Sequence, residues 1–190
     1  MTIRRRRIAA SSRLLPDILT SLASQGESPL GYQYPINALS QRISLVPILR
    51  SGLGMVEALQ TVLPEPVPIH HLGLFREPVT LQPVEYYNNL PNHTEPPNPN
   101  EEHIAIIVDP IIATGGTAVA AIQTLREWGV KKIVFLCVLG SESGVQRAAE
   151  EWPEGAEIWV AAVDKDVDGK GYLKPGCGDV GDRLFSTKGK

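Results

Sequence analysis

The stretch Val108-Asp-Pro-Ile-Ile-Ala-Thr-Gly-Gly-Thr117 decides how this chain is organised. The apolar, β-branched run His103–Val108, which leads into it, predicts a buried strand, and the pattern of residues 118–129 behind it predicts a helix. A strand, a glycine turn and a helix N-terminus direct unpaired backbone N–H groups and the positive end of a helix dipole at one point. The stretch therefore predicts an anion site, and a phosphate fits it best.

The residues of this turn have separate expected roles. Gly115 and Gly116 let the backbone approach an anion closely because no Cβ stands in the way. Thr114 and Thr117 can add hydroxyl donors, whereas Asp109, at the carboxyl end of the strand, suits neutral partners such as sugar hydroxyls. The alternative is that the glycines only turn the chain and that Thr117 caps a helix.

Length and composition bound the other possibilities. A chain of 190 residues with 43% hydrophobic residues suits one domain with one core, over residues 1–190. The net charge of -3 gives no general basic surface, which argues against nucleic-acid binding. No apolar run reaches membrane-spanning length. Cys137 and Cys177 are far apart in the sequence and predict neither a disulfide framework nor a metal site.

The N-terminal segment is basic. Arginines at residues 4–7 and at Arg13, with serines nearby, precede the first acidic residue, Asp17. This pattern is typical of a mitochondrial presequence, although a solvated helix end is the alternative, and we expect a cytoplasmic protein. The apolar spacing over residues 8–22 predicts a helix that Pro16 splits or restarts, and residues 25–40 predict a loop.

Strands and helices alternate along the rest of the chain. The pattern predicts strands at residues 43–49, 68–75, 103–108, 132–139 and 157–163, and helices at residues 55–63, 118–129 and 143–152. Residues 77–102 are rich in proline and asparagine, and Tyr86 and Tyr87 predict that part of them forms an extended arm. The alternation predicts an α/β fold, with a parallel sheet flanked by helices.

Three candidate motifs follow strands, at the sheet edge where such folds bind ligands. Arg50, in a glycine turn, offers a forked and permanently charged donor suited to pyrophosphate. Arg76 follows the next strand, where a salt bridge to Glu77 or Glu85 is the alternative explanation for it. The loop that begins with Asp109 is the third motif.

The tail reads Gly171-Tyr-Leu-Lys-Pro-Gly-Cys-Gly-Asp-Val-Gly-Asp-Arg-Leu-Phe185. Its glycines and proline are compatible with a flexible terminus. Such a terminus would not need Tyr172, Leu173, Leu184 and Phe185, however, and these residues predict that the tail is anchored. Residues 164–190 are expected to be barely helical.

Together, these motifs resemble the uracil phosphoribosyltransferase family. Residues 109–116 resemble its block Asp-Pro-hydrophobic-hydrophobic-Ala-Thr-Gly-Gly, and residues 46–52 resemble its block Val-Pro-Ile-Leu-Arg-Ala-Gly. Residues 171–183 are similar to its signature Gly-Tyr-Ile-x-Pro-Gly-Leu-Gly-Asp-x-Gly-Asp-Arg. The resemblance runs over residues 43–187. It implies a type I phosphoribosyltransferase fold with a glycine-rich C-terminal hood, and an enzyme of pyrimidine salvage that converts uracil and phosphoribosyl pyrophosphate into UMP and pyrophosphate.

The resemblance also implies which residues bind each substrate. The expected catalytic residues are Asp109, Arg50 and Arg76. Residues expected to bind phosphoribosyl pyrophosphate are Arg50, Arg76, Asp109, Pro110, Ile111, Ile112, Ala113, Thr114, Gly115, Gly116, Thr117 and Asp179. Residues expected to bind uracil, through exposed backbone groups, are Leu173, Gly178, Asp179 and Val180. Uracil alternates donors and acceptors, so cytosine would leave a buried partner unpaired at about 1–3 kcal/mol.

Cofactor and partners are implied in the same way. Mg²⁺ is expected on the oxygens of phosphoribosyl pyrophosphate, the co-substrate, because hard oxygen ligands suit it, and no direct protein ligand is expected. GTP is an expected effector, and the assembly is expected to be a homodimer or homotetramer without a nucleic-acid or membrane partner.

The sequence departs from the family pattern in three places. Residues 1–42 are divergent and shorter than usual, Cys177 stands where leucine is usual, and residues 77–102 form an Asn/Pro-rich insertion. Two alternatives therefore stay open beside the uracil enzyme. One is a non-catalytic ligand-binding or regulatory homologue that kept the fold, and the other is a phosphoribosyltransferase for another base.

Overall fold

The computed structural model describes residues 20–39, 41–77, 80, 83–91 and 103–187. The strands are β1 Thr20–Glu27, β2 Gln33–Leu39, β3 Arg42–Leu49, β4 Leu72–Arg76, β5 Pro83–Asn88, β6 His103–Val108, β7 Ile111–Ile112, β8 Lys132–Ser141, β9 Ala156–Asp164, β10 Asp166–Val167 and β11 Leu173–Lys174. The helices are α1 Leu53–Gln60, α2 Gly116–Trp128, α3 Glu142–Glu151 and α4 Val180–Leu184. None of these helices combines the length and the apolar character needed to cross a membrane.

A sheet that comprises seven of the described strands organises the fold. Its order is β5-β4-β3-β6-β8-β9, and the short strand β7 extends the β6 side of β8. All neighbours are parallel except β5, which runs antiparallel to β4. The predicted parallel sheet is confirmed. Strand β5 carries Tyr86 and Tyr87 and is the described part of the predicted arm, whereas residues 92–102 of that arm lie outside the described residues.

The central strand β6 is buried on both faces. Ala105 and Ile107 pack in a cluster with α2 and α3, whereas Ile104 and Ile106 pack in a second cluster with α1. Successive side chains of a strand point to opposite faces, so each helical layer receives every second residue. This burial explains why β6 is a continuous apolar run without polar alternation.

Helix boundaries differ from prediction by two or three residues at most. Helix α2 begins at Gly116, two residues before the predicted start, and ends where Gly129 takes a left-handed conformation with φ of 99°, as many helices do. Ser141 caps α3 by accepting a hydrogen bond from the Gly144 N–H at 2.8 Å. The predicted strand at residues 68–75 begins later, because only Ile69 forms a bridge to β3 before β4 starts.

The loop predicted at residues 25–40 is wrong, and so is the helix predicted up to residue 22 over its described end. Strands β1 and β2 form an antiparallel hairpin, and Gly31 turns the chain between them with φ of 81°. Gly31 and Pro35 suggested a loop, but one sits in the turn and the other in a two-stranded ribbon, where each strand keeps an unpaired side that tolerates proline. The basic segment and the rest of the predicted helix, residues 1–19, lie outside the described residues.

At the amino ends of the parallel strands, His103 is buried beside Trp128. His103 is only 4% exposed, and its Nε2 lies 2.9 Å from Ser44 Oγ. The rings of His103 and Trp128 meet edge-on, with 4.9 Å between their centroids. Its Nδ1 is buried without a hydrogen-bond partner among the described residues. Burial, with a contribution from the charge of Arg42, lowers the pKa of His103 to about 4.

We predict that His103 makes folding pH-dependent. The unfolded chain, with a His pKa near 6.5, binds a proton more readily than the folded state, whose pKa is about 4. Stability is therefore full above about pH 6.5 and falls as the pH drops towards 4, by about 2 kcal/mol at pH 5. Urea unfolding at neutral pH and at about pH 5 should show this loss, and His103→Gln should flatten it. His71→Gln is the matched control, and an undiminished pH dependence in His103→Gln would contradict the assignment.

Candidate active site

A cleft of about 790 Å³ opens at the carboxyl ends of the parallel strands. Its walls come from the loop after β3, the facing parts of β4 and β5, the turn between β6 and α2, and residues 169–181 of the tail. The tail thus forms the predicted hood over this edge of the sheet. The cleft lies where the sequence predicted ligand binding.

Most of the predicted site residues meet in this cleft. Those that line it are Arg50, Asp109, Ile111, Ile112, Ala113, Thr114, Gly115, Thr117, Leu173, Gly178, Asp179 and Val180. Pro110 and Gly116 are not among the lining residues. The side chain of Arg76, at the end of β4, lies outside the described part of the chain, so its role stays a prediction.

Asp109 is held on the floor of the cleft. Its residue is 7% exposed, because the backbone has just left the buried strand β6, and its N–H still reaches the carbonyl of Leu136 in β8 at 3.3 Å. Ser51, in the loop after β3, donates its hydroxyl to Asp109 Oδ1 at 2.8 Å. The sequence did not identify Ser51 as a site residue. It fixes the orientation of the carboxylate that is expected to meet ribose.

The buried carboxylate also affects its neighbour Cys137 in β8. Burial, and then the Asp109 charge, raise the pKa of the Cys137 thiol. The Cys137 Sγ lies 3.4 Å from the carbonyl of Pro110 and 3.2 Å from that of Leu139. Cys137 is therefore an inert, buried thiol behind the turn.

Gly115 is the glycine that the turn at residues 113–117 requires. It has φ of 79°, and a Cβ there would stand 2.5 Å from the carbonyl oxygen of Gly144. A Cβ on Gly116 would meet no atom closer than 3.7 Å. Ser141 braces the same turn, because its hydroxyl donates to the Ala113 carbonyl at 2.5 Å. The start of α3 thus supports the turn from behind, a contact that the sequence did not reveal.

The N-terminus of α2 is left open towards the cleft. Its N-cap residue is Gly115, which has no side chain to cap the helix, and no acidic residue lies in the first turn. Thr114 and Thr117 line the cleft on either side of the two glycines. Uncapped N–H groups at a positive helix end are a ready site for a phosphate. Thr117 is therefore not the cap of α2, because the helix begins before it, and the phosphate site stays a prediction.

Arg50 is tied to the tail. Its Nη2 lies 3.0 Å from Asp182 Oδ1 in an ion pair, and its Nη1 donates to Thr187 Oγ1 at 3.3 Å. Thr187 in turn donates to Asp182 Oδ1 at 2.6 Å. These hydrogen bonds, from Thr187 first and then Arg50, lower the pKa of the Asp182 carboxyl. Sequence reasoning identified Arg50 but missed both partners.

The loop expected to read the base is held at both ends. Asp179 caps α4 by accepting from the Asp182 N–H at 2.9 Å, and Arg183 donates to the Cys177 carbonyl at 2.9 Å. Gly178 lies between them with φ of 73°. Asp179 therefore combines a capping role with a place on the cleft wall, and the loop presents a defined backbone.

Aromatic side chains of β4 and β5 form another part of the cleft wall. Tyr86 of β5 lines the cleft and lies across Gly73, where a Cβ would be 2.8 Å from the ring. The ring of Phe75 is 6.0 Å from that of Tyr86. The sequence predicted the arm but not that Tyr86 reaches the cleft. The available signal was Gly73, a glycine within the strand that precedes the arm, because it leaves space for the Tyr86 ring.

Comparison with known proteins agrees with this geometry. A family model described as uracil phosphoribosyltransferase matches residues 10–187. The Schizosaccharomyces pombe protein urg2, provisionally named a uracil phosphoribosyltransferase, is 46% identical over 92% of this chain and 80% of its own length. The uracil phosphoribosyltransferase of Halalkalibacterium halodurans is 43% identical over 85% of this chain and 74% of its own.

A solved structure shares the fold. The AQ2163 protein of Aquifex aeolicus superposes with a TM-score of 0.79 at 33% identity, over 93% of this chain and 80% of that chain. The type I phosphoribosyltransferase fold expected from the motifs is thus confirmed by the parallel sheet and by these similarities. The chain belongs to the uracil phosphoribosyltransferase family.

Proposed function

We propose that the chain transfers the phosphoribosyl group of phosphoribosyl pyrophosphate to uracil, which yields UMP and pyrophosphate. One observation carries the proposal. A single cleft brings together a fixed carboxylate at Asp109, the N-terminal end of α2 at Gly115 and Thr117, and the glycine-rich loop around Gly178. These parts suit ribose hydroxyls, a 5-phosphate and a planar base with alternating donors and acceptors. Membership of the family supports the same reaction.

Positioning and charge neutralisation would supply the catalysis. As the bond between the anomeric carbon and pyrophosphate breaks and the bond to the uracil nitrogen forms, positive charge develops on the ribose ring. The Asp109 carboxylate would stabilise that charge while binding the hydroxyls, and the turn at residues 113–117 would hold the phosphate in place. Arg50 and Arg76 would bind the departing pyrophosphate. Such preorganised groups act without a covalent intermediate.

Mg²⁺ fits this scheme as an ion carried by the donor. Among the described residues, no group of three or more His, Cys, Asp or Glu side chains is placed to hold a metal. Two carboxylates that line the cleft, Asp109 and Asp179, have hard oxygens that suit the hydration shell of Mg²⁺. Bound to pyrophosphate oxygens, the ion would neutralise charge on the leaving group. The arm would exclude water, with Tyr86 at the cleft wall.

A steady-state assay with uracil and phosphoribosyl pyrophosphate tests the proposal. We expect UMP to form, and cytosine to be a much poorer substrate because it would leave a buried backbone group of the loop unpaired. Binding of both ligands without turnover would instead favour a non-catalytic homologue. Turnover of a different base would keep the reaction class and overturn the substrate.

We also propose an assembly, an effector and a location for the protein. We expect a homodimer or homotetramer, GTP as an effector and a cytoplasmic location. Light scattering at defined protein concentration would establish the assembly, and rates measured with and without GTP would establish the effector.

Cys177 provides a test of where the base binds. It is half-buried and lines the cleft, so saturating uracil and pyrophosphate should slow its alkylation by iodoacetamide about tenfold or more, as expected when a ligand more than 90% bound covers the thiol. Cys137, whose thiol has a raised pKa and is buried, is the internal control and should stay unlabelled. Peptide mass spectrometry distinguishes the two thiols. Equal labelling of Cys177 with and without ligands would count against this placement.

A further inference from the structure

We propose that Asp182 is a positioning residue for Arg50. The tail segment that carries the loop expected to read the base (residues 173–180, the base loop) would thereby also prepare the pyrophosphate end of the cleft. The inference rests on the proposed function, since Arg50 matters here as a pyrophosphate ligand. It concerns a residue of the tail that lies outside the base loop and does not line the cleft.

The contact geometry favours orientation over simple charge pairing. Asp182 and Thr187 engage Nη2 and Nη1 of Arg50, and the Thr187 hydroxyl joins the two by donating to the carboxylate. The Arg50 side chain is 51% exposed and that of Asp182 is 22% exposed, so the ion pair is screened by solvent and adds little stability. Its effect is to hold a long side chain in one rotamer.

A fixed rotamer matters because a guanidinium has five donors. Two described contacts leave N–H groups of Arg50 for an anion in the cleft, which Arg50 lines. An arginine side chain has a large rotamer entropy, and part of the cost of losing it is removed from ligand binding if the free protein already holds the side chain. Asp182 therefore favours anion binding even though its own charge is negative.

Helix α4 packs on the turn after β3 and on the start of α1, which keeps Asp182 beside Arg50. Leu184 packs against Gly54 so closely that a Cβ on Gly54 would lie 2.9 Å from the leucine Cδ1. Gly181 lies beside the guanidinium, and a Cβ on Gly181 would lie 3.7 Å from Arg50 Nη2. Asp182 reaches the base loop through its backbone, since its N–H binds Asp179. The side chain of Asp182 thus acts on Arg50, while its backbone belongs to the cap of the base loop.

Because the side chain and the backbone of Asp182 have different partners, one substitution can test the side chain alone. Asp182→Ala removes the carboxylate but keeps the N–H that binds Asp179, so the base loop should persist. We expect calorimetric titration with phosphoribosyl pyrophosphate and Mg²⁺, without any base, to show donor binding weakened about 5–10-fold. In turnover, the KM for the donor should rise by the same factor, and the KM for uracil should stay within about twofold. Thr187→Val should act in the same direction, more weakly.

Two comparisons separate positioning from other roles. Asp166→Asn removes a carboxylate from an exposed residue of β10 that does not line the cleft, and it should change nothing. In an Arg50→Gln background, Asp182→Ala should cause no further loss, because its effect passes through Arg50. Full additivity, unchanged or tighter donor binding, or a parallel rise of both KM values would each overturn the inference. If the unaltered protein bound no donor at all, the proposed function would fail and the inference with it.

Discussion

Replacing Asp109 with asparagine will lower kcat by about 10²–10³ and leave the fold intact, in line with the loss of one preorganised electrostatic group. The substitution keeps the shape of the side chain and an oxygen that can still accept from the Ser51 hydroxyl, which lies 2.8 Å from Asp109 Oδ1 in the unaltered protein. It removes the negative charge that the proposed mechanism places beside the ribose ring. Because the residue is only 7% exposed, bulk water screens that charge little, and its loss should be felt strongly in the transition state.

The measurement is kcat and donor KM, with circular dichroism to confirm folding. We expect most of the loss in kcat, since the ring charge exists chiefly in the transition state. Asp166→Asn serves as the control for removing one carboxylate elsewhere. A folded Asp109→Asn variant with near-normal turnover would remove Asp109 from the mechanism. Ser51→Ala, which removes one hydrogen bond to the carboxylate but keeps its charge, should cost much less.

The sheet was predictable because its signals are local. Strand β6 is apolar throughout since both of its faces are covered, and the helices on those faces carry their own periodicity. The hairpin of β1 and β2 was missed because Gly31 and Pro35 are loop signals when taken one at a time, and their place in a paired ribbon depends on register. Local chemistry cannot distinguish a turn within a hairpin from a turn within a loop.

The site was predictable to the level of motifs but not of contacts. The stretch around Asp109 and Gly115 was correctly expected at the carboxyl edge of the sheet, where it lines the cleft, and its binding of an anion stays a prediction. The sequence could not show that a Cβ would clash at Gly115 and be accommodated at Gly116. That difference depends on Gly144 of α3, which is distant in sequence. The ion pair of Arg50 with Asp182 joins residues 132 positions apart. Only the folded chain brings them together.

That ion pair changes how base recognition has to be tested. Removing the whole tail from Tyr172 onward would also remove the partners of Arg50 and the Leu184 contact with Gly54. Such a truncation would weaken donor binding as well as base binding, and it could not separate the two. Single substitutions within the base loop leave α4 in place and are the cleaner experiment.

Gly178→Val will raise the KM for uracil about 10–100-fold, whereas Val180→Ala will change it less than about threefold. Gly178 has φ of 73°, a region that a β-branched residue strongly disfavours, and a Cβ there would meet nothing within 4 Å. The damage therefore comes from backbone strain of about 1–3 kcal/mol, relieved by moving the N–H and C=O groups that would read the base. Val180→Ala keeps that backbone and trims only a side chain at the start of α4.

Gly178→Asn gives the decisive comparison, because asparagine tolerates the left-handed region better than valine. If backbone conformation controls base recognition, the asparagine variant should lie between the original protein and the valine variant. In Gly178→Val, Gly178→Asn and Val180→Ala, the donor KM should stay within about twofold of that of the original protein, since Arg50 keeps its partners. A stronger effect of Val180→Ala than of Gly178→Val would mean that side chains, and not the loop backbone, recognise uracil.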